Sequence, residues 1–80
     1  MNDEISLTKE ELEKIWKKAE IIMGVNPKFI RRDIYGNWIK KNDFNNIHSS
    51  FGWTVSSVKL QKFDDEYYET LMPVHWKHKQ

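Results

Sequence analysis

Two histidines near the C-terminus are the side chains of this sequence best suited to bind a metal ion. His75 and His78 are three residues apart, and four carboxylates precede them at Asp64, Asp65, Glu66 and Glu69. Imidazole and carboxylate groups together can bind zinc or nickel. Two solvated histidines in a short polar tail are the simpler interpretation, because the spacing fixes no third ligand. We therefore predict no metal and no cofactor, and keep His75 and His78 as the residues to test.

Two adjacent serines, Ser56 and Ser57, carry hydroxyl groups that a nucleophilic mechanism could use. A serine needs a neighbouring base, and neither a Ser-His-Asp order nor a nucleophile-elbow motif accompanies these two. The run 52–58 that contains them combines β-forming residues with small hydroxyl residues, which predicts a strand. We therefore interpret both serines as small residues on that strand.

A second run, 70–79, predicts the strand that returns alongside the first. We expect Pro73 at the exit of this strand and a short basic helix or tail beyond it. Together the two runs predict a ββα-like hairpin whose loop carries residues 61–66.

The charges are unevenly distributed along the chain, although the formal net charge is only +1. Residues 25–63 carry an excess of basic side chains, whereas the segments on either side are acidic. The predicted basic contacts with a phosphate backbone or an acidic protein are Arg31, Arg32, Lys40 and Lys41. The alternative for the two arginines is a solvated surface or a structural ion pair, and Asp33 is one side chain that could pair with Arg31 or Arg32.

An acidic and aromatic run, 63–69, is the most unusual local feature of the chain. Its carboxylates repel a nucleic-acid backbone. Tyrosines anchor protein interfaces, and carboxylates mimic phosphates towards a basic partner. The predicted acidic contacts with such a partner are Asp64, Asp65, Glu66 and Tyr67. The alternative is a solvated hairpin loop with Tyr67 or Tyr68 packed inwards.

A capping box predicts that an amphipathic helix begins after Thr8, since Glu11 follows three residues later. Apolar residues then recur at spacings of three and four as far as Met23. Gly24 suits a left-handed helix end. Residues 1–7 are predicted to form a flexible arm.

The segment 30–50 predicts a strand, a turn at 36–37, a second strand from Trp38 and then a polar loop. Phe44 and Ile47 are expected to attach this loop to the core. The predicted fold is small α+β, with the N-terminal helix packed on a small antiparallel sheet.

The two runs of the ββα-like hairpin resemble the HNH endonuclease family. In one subgroup the motif runs Gly-Trp-Glu-Ile-Asp-His-Ile and later Asn-Leu-Arg-Pro-Leu-x-Trp-x-Asn-Asn. The scaffold residues that match this motif are Gly52, Trp53, Val55, Val58, Leu71, Pro73, Val74 and Trp76. The segment 30–39 also matches the subgroup, so the resemblance extends over most of the chain.

The residues that carry the family's chemistry are replaced. By the resemblance, the metal-binding aspartate falls on Ser56, the general-base histidine on Ser57, and the bracing asparagine on Thr70. The last metal ligand falls on Lys79. A hydroxyl supplies neither negative charge for a cation nor a base near neutral pH, and a lysine repels the metal. The resemblance therefore implies an HNH-like domain, 1–80, without its active site.

Size and composition indicate an ordinary single domain. The 80 residues include no cysteine and no apolar run of the length of a membrane span, which is typical of a cytoplasmic protein without a membrane partner. Our hypothesis is a catalytically inactive binding or inhibitor module from a phage or mobile element. An anti-CRISPR type protein that binds a nucleoprotein or nuclease complex of a host defence system is its concrete form. The alternatives are a DNA nickase with a relocated metal site at the two histidines, a DNA-binding accessory protein, and a structural subunit.

Overall fold

The computed structural model describes residues 7–78, which form a helix and two antiparallel hairpins. The regular elements are helix α1 (Lys9–Trp16) and strands β1 (Ile30–Arg32), β2 (Trp38–Lys40), β3 (Trp53–Gln61) and β4 (Tyr67–His75). Single 3-10 turns follow β2 and β4, at Lys41–Asp43 and Trp76–His78. The predicted α+β class is confirmed, but the strands form two separate two-stranded sheets. Residues 1–6 of the predicted arm and Lys79 lie outside the described residues.

The start of α1 agrees with the sequence prediction. The Thr8 backbone N–H donates to Glu11 Oε1 at 2.9 Å, and the Glu11 backbone N–H donates to Thr8 Oγ1 at 3.1 Å. The predicted capping box is therefore confirmed. The pKa of Glu11 is lowered below its ordinary value, mainly by the hydrogen bond from the Thr8 backbone and to a smaller extent by the hydrogen bond with the Thr8 side chain. No helix of the described part of the chain is long and apolar enough to cross a membrane.

The predicted extension of the helix to Gly24 is wrong, because α1 ends at Trp16. The backbone N–H groups of Lys18 and Ala19 donate to carbonyls only three residues back, which tightens the chain into 3-10 geometry. Glu20 then pairs with β1 in an isolated antiparallel bridge, so the backbone is extended there. Tertiary pairing overrides the helical periodicity at this point.

Strands β1 and β2 form the short hairpin that the sequence predicted, with Arg31 opposite Ile39. Gly36 has a φ of +89°, a value that favours glycine in the turn. The turn is also held by Asp33, whose Oδ1 accepts hydrogen bonds from the backbone N–H of Tyr35 at 3.0 Å and of Asn37 at 2.8 Å.

Asp33 does not pair with Arg31 or Arg32, the arrangement considered as an alternative. The side chain of Asp33 is buried, with 2% of the residue exposed. Its Oδ2 accepts a hydrogen bond of 2.8 Å from the backbone N–H of His75, which lies 42 residues further along the chain. Asp33 therefore connects the β1–β2 turn to the end of β4.

Strands β3 and β4 form the longer hairpin, in a register that runs from Trp53 opposite His75 to Gln61 opposite Tyr67. The connecting loop is 62–66, so Gln61 belongs to β3 rather than to the loop. Pro73 lies inside β4 rather than at its exit. This position is compatible with the ladder because the nitrogen of Pro73 faces away from β3, where no hydrogen bond is needed.

The core lies between α1 and the two hairpins. Its buried side chains are Trp16, Ala19, Ile39 and Trp53, with Leu12, Phe44 and Val55 packed against them. The rings of Trp16 and Trp53 have centroids 5.2 Å apart. The predicted attachment of the polar loop by Phe44 is confirmed, whereas Ile47 is exposed and does not attach it.

Gly52 is required at the entry to β3 by close packing. A Cβ atom at this position would lie 1.9 Å from the backbone oxygen of Asn46 and 3.0 Å from the Trp76 ring. Gly52 also joins the preceding loop to the end of β4, since its oxygen accepts a hydrogen bond from the Trp76 backbone N–H at 3.2 Å.

Candidate protein-binding site

The two serines at the HNH-like positions lie on opposite faces of the long hairpin. Ser56 is buried and pairs with Met72, whereas Ser57 is exposed and pairs with Leu71. Successive residues of a strand point to opposite faces of a sheet. The two hydroxyl groups therefore cannot act together on one substrate atom.

The third HNH-like position, Thr70, contributes to packing between elements. Its hydroxyl oxygen accepts a hydrogen bond from Lys18 Nζ at 2.8 Å, and the same ammonium group donates to the Leu71 backbone oxygen at 2.9 Å. These contacts attach the segment after α1 to the edge of β4. The fourth position, Lys79, is outside the described residues.

The two histidines are engaged within the fold. His75 is buried, and its Nε2 lies 2.7 Å from the Ser50 backbone oxygen while its Nδ1 accepts from the Lys77 backbone N–H at 3.2 Å. A neutral ring with its proton on Nε2 satisfies both contacts. His78 stacks on the Tyr35 ring at a centroid distance of 4.1 Å. Among residues 7–78, no three His, Cys, Asp or Glu side chains are arranged to hold a metal.

Arg31, a predicted partner-binding residue, directs its guanidinium into the fold. Its Nε donates to the Pro27 backbone oxygen at 3.0 Å, and one terminal nitrogen donates to the backbone oxygens of Lys17 at 3.1 Å and Ala19 at 3.0 Å. These carbonyls follow α1 and precede β1. Arg31 therefore satisfies backbone acceptors where the helix unwinds.

The other predicted basic contacts are partly occupied by internal partners. Arg32 Nε forms an ion pair with Glu20 at 2.8 Å. Lys41 forms an ion pair with Glu13, and its hydrogen bond holds the pKa of that carboxylate below its ordinary value. Lys40 is exposed. Of the four predicted basic residues, two are thus in ion pairs, Arg31 binds backbone carbonyls, and Lys40 remains exposed.

The predicted acidic contacts lie together on the outer part of the long hairpin. We call residues 59–69 the outer ribbon; all of them except Leu60 are exposed, on both faces of the two strands. Tyr67 is 59% exposed and Tyr68 is 42% exposed, so the alternative in which one of them packs inwards is wrong. Phe63 at the loop is 97% exposed.

Cation–π contacts hold the two tyrosine rings along the ribbon. Lys59 Nζ lies 5.8 Å from the centroid of Tyr67, and Lys62 Nζ lies 5.6 Å from the centroid of Tyr68. Such contacts contribute about 0.5–1 kcal/mol each at exposed sites. The carboxylates of the loop, Asp64, Asp65 and Glu66, are exposed at the end of the ribbon. The outer ribbon carries two lysines and four carboxylates, and its net charge is therefore negative.

Phe63 and Tyr68 are site residues that the sequence analysis did not select. Neighbouring residues of a strand point to opposite faces, so Tyr67 and Tyr68 could not both pack on one core, and that alternation was a usable signal. Nothing comparable distinguished Phe63.

Comparison with known proteins found no protein-family model, no curated protein and no solved structure that matches this chain significantly. The resemblance to HNH endonucleases therefore rests on the quoted residues alone.

Proposed function

We propose that this protein is a non-catalytic binding module whose outer ribbon inserts into a basic groove of a partner protein. The observation that carries the proposal is the exposure of aromatic and carboxylate side chains together on a two-stranded ribbon. Phe63 offers a nearly fully accessible ring, and the tyrosines flank it. A few residues carry most of the binding energy at protein interfaces, and tyrosine is enriched among them, while charged groups around them give specificity and steer association.

The sign of the charge supports a basic partner. Among the predicted basic contacts, Arg32 and Lys41 form ion pairs and Arg31 binds backbone carbonyls, whereas the carboxylates of the ribbon loop are exposed to solvent. Carboxylates spaced along a projecting ribbon can occupy sites that otherwise bind phosphates. The module then acts as a competitor of nucleic acid on the partner.

The resemblance to HNH nucleases supports the non-catalytic part and suggests the class of partner. Ser56 and Ser57 replace the residues of the family's metal and base positions, and they face opposite sides of β3. The partner we propose is a nuclease or nucleoprotein complex of a host defence system, the kind of partner that anti-CRISPR proteins of phages bind. Such a complex has a basic groove where it binds nucleic acid. This step comes from the resemblance and not from the geometry.

The test is capture of partners from a host lysate treated with nuclease, compared between two charge variants. The ribbon variant combines Asp64→Asn, Asp65→Asn and Glu66→Gln, which removes the charge and keeps the side-chain shapes. The control variant combines Lys28→Gln with Lys40→Gln, two exposed basic residues outside the ribbon. We expect a captured protein that is lost with the ribbon variant and retained with the control.

Two outcomes contradict the proposal. Capture that depends on the control lysines, or that disappears with nuclease treatment, favours a DNA-binding accessory protein. Plasmid nicking that requires Mg, Mn, Ni or Zn and is lost with His78→Ala favours the relocated nickase. A direct measurement on the identified partner then follows, in which nucleic acid is expected to displace the module.

A further inference from the structure

Most strand edges of this fold are closed by other parts of the chain. A free edge exposes backbone N–H and C=O groups that can pair with another strand. The edge of β1 is closed by Glu20, whose N–H donates to the Arg32 oxygen at 2.8 Å and whose oxygen accepts from the Arg32 N–H at 2.9 Å. The edge of β2 is held by Phe51, whose oxygen accepts from the Lys40 N–H at 2.9 Å.

The inner half of the β4 edge is closed in three different ways. The His75 N–H donates to Asp33, and the Leu71 oxygen accepts from Lys18 Nζ. Between these two positions stands Pro73, which has no N–H to offer. A further strand therefore cannot pair with this part of β4.

The edge of β3 is closed only at its start, where the Trp53 oxygen accepts from the Asn45 N–H at 2.6 Å. The Lys62 N–H donates to the Glu66 oxygen at 2.6 Å, which fixes the alternation of the ladder. By this alternation, the residues that direct their N–H and C=O groups away from β4 are Val55, Ser57, Lys59 and Gln61. We call this stretch, residues 55–61, the open edge. Among residues 7–78, no strand pairs with it.

We infer that the open edge of β3 binds the same edge of a second copy of this protein, in an antiparallel dimer with two-fold symmetry. The symmetry axis passes through Val58. Ser57 then lies opposite Lys59 of the other copy, and Val55 lies opposite Gln61 of the other copy. Every outward-directed group of the open edge gains a partner, in about eight hydrogen bonds between the copies.

The two neighbouring registers of the dimer are less favourable than the one with its axis through Val58. An axis through Ser57 sets Gln61 against Trp53 of the other copy, whose edge Asn45 already occupies. An axis through Lys59 sets two ammonium groups directly opposite each other, which is destabilising. The axis through Val58 avoids both and packs the two valine side chains against each other.

The side chains beside the open edge favour a second copy as the occupant. Val58 and Leu60 lie on one face of the hairpin, are only partly buried, and pair there with Thr70 and Tyr68. The dimer joins this apolar strip to its symmetric equivalent. The outer edge of β4 is also unpaired among the described residues, but it lies beside the acidic loop, where two copies repel. This inference does not rest on the proposed function, although the open edge and the outer ribbon share residues 59–61.

The test begins with the mass of the protein in solution, by sedimentation equilibrium from about micromolar to about millimolar concentration. We expect the mass to rise towards that of a dimer. Ser57→Pro removes one outward N–H and leaves the β3–β4 ladder intact. We therefore expect the association constant of the dimer to fall at least about tenfold. Glu69→Pro removes an outward N–H of β4 and is the matched control, for which we expect the dimer to persist. Circular dichroism establishes that both variants are folded.

Disulfide trapping tests the register even where a proline variant does not fold. The chain has no cysteine. Val58→Cys places the new thiols at the axis, in a pair whose Cβ atoms are close enough for a disulfide. Leu60→Cys, on the same face, lies opposite Ser56 of the other copy and is the control. Rapid cross-linking of the first variant alone supports the dimer. A monomer at every concentration, or equal cross-linking of both variants, overturns it.

Discussion

Replacing Asp33 with asparagine separates two roles of one buried carboxylate. Asp33 Oδ1 holds the β1–β2 turn through Tyr35 and Asn37, while Oδ2 binds the N–H of His75 at the end of β4. An amide has one oxygen and one NH₂ group in place of the two oxygens. In either orientation the NH₂ group therefore faces a backbone N–H, so one of the two connections is lost.

The magnitude follows from the burial of these groups. Leaving a buried donor without a partner costs about 1–3 kcal/mol, and losing the charge weakens the bonds that remain. We therefore expect Asp33→Asn to lower the free energy of unfolding by about 2–4 kcal/mol and Asp33→Ala by about 3–5 kcal/mol. A domain of this size has roughly 4–12 kcal/mol in total. Either change is thus a large fraction of the stability.

The assay is urea unfolding followed by tryptophan fluorescence, with hydrogen exchange of the His75 amide as a local probe. Asp43→Asn is the matched control, because its partner is the Ser49 hydroxyl at 2.6 Å, which can rotate to accept from an amide. We expect the control to cost less than about 1 kcal/mol. An Asp33→Asn protein as stable as the wild type, with unchanged protection of the His75 amide, would refute the reasoning.

Three further predictions concern the fold. Gly52→Ala is expected to lower the free energy of unfolding in urea by more than about 2 kcal/mol, because the added Cβ meets a backbone oxygen. Gly24→Ala has open space but a φ of +83°, and is expected to lower it by about 1–2 kcal/mol. Equal losses for the two substitutions would contradict this explanation. The pKa of Glu11 is lowered in the folded state, so the ionised Glu11 side chain stabilises the fold at pH values above the pKa of Glu11 in the unfolded chain. This stabilisation is lost as the pH falls through the pKa of Glu11 in the folded protein. The wild type is therefore expected to lose its stability advantage over Glu11→Gln on acidification below about pH 4.5, measured as the difference in urea midpoint; a constant difference from pH 7 to pH 3 would argue against the capping box. Arg31→Lys is expected to lower the melting temperature because lysine cannot reproduce the fork of donors, while Arg32→Lys in its surface ion pair changes it little.

Local signals in the sequence were sufficient to predict where the elements begin. The capping box at Thr8 and the turn at Gly36 act through neighbouring residues, so their patterns can be recognised without a structure. The pairing of the long hairpin also follows from two β-forming runs separated by a short polar segment. The α+β class could be predicted for the same reason.

Long-range contacts decided the features that the sequence analysis missed. The periodicity of α1 continues past Trp16 in the sequence, but pairing of Glu20 with β1 stops the helix. Asp33 has arginines beside it in sequence, yet it binds the backbone of His75, 42 residues away. For the candidate site, sequence identified the acidic residues, but the exposure of Tyr67 depends on how far the hairpin extends beyond the core.

The distribution of charge in the fold changes how the formal net charge should be interpreted. The basic excess of residues 25–63 predicted basic contacts, but Arg31 binds carbonyl oxygens and Lys41 binds Glu13. Opposite charges in an ion pair such as Lys41–Glu13 largely cancel each other at a distance, whereas the exposed carboxylates of the outer ribbon have no such partner in the ion pairs of the described residues. In the inferred dimer the hairpins run antiparallel, so the two acidic loops lie at opposite ends of a four-stranded sheet. A partner with two basic grooves at that spacing would then gain avidity from both loops, while one groove would bind a single loop with the weaker affinity of a monomer.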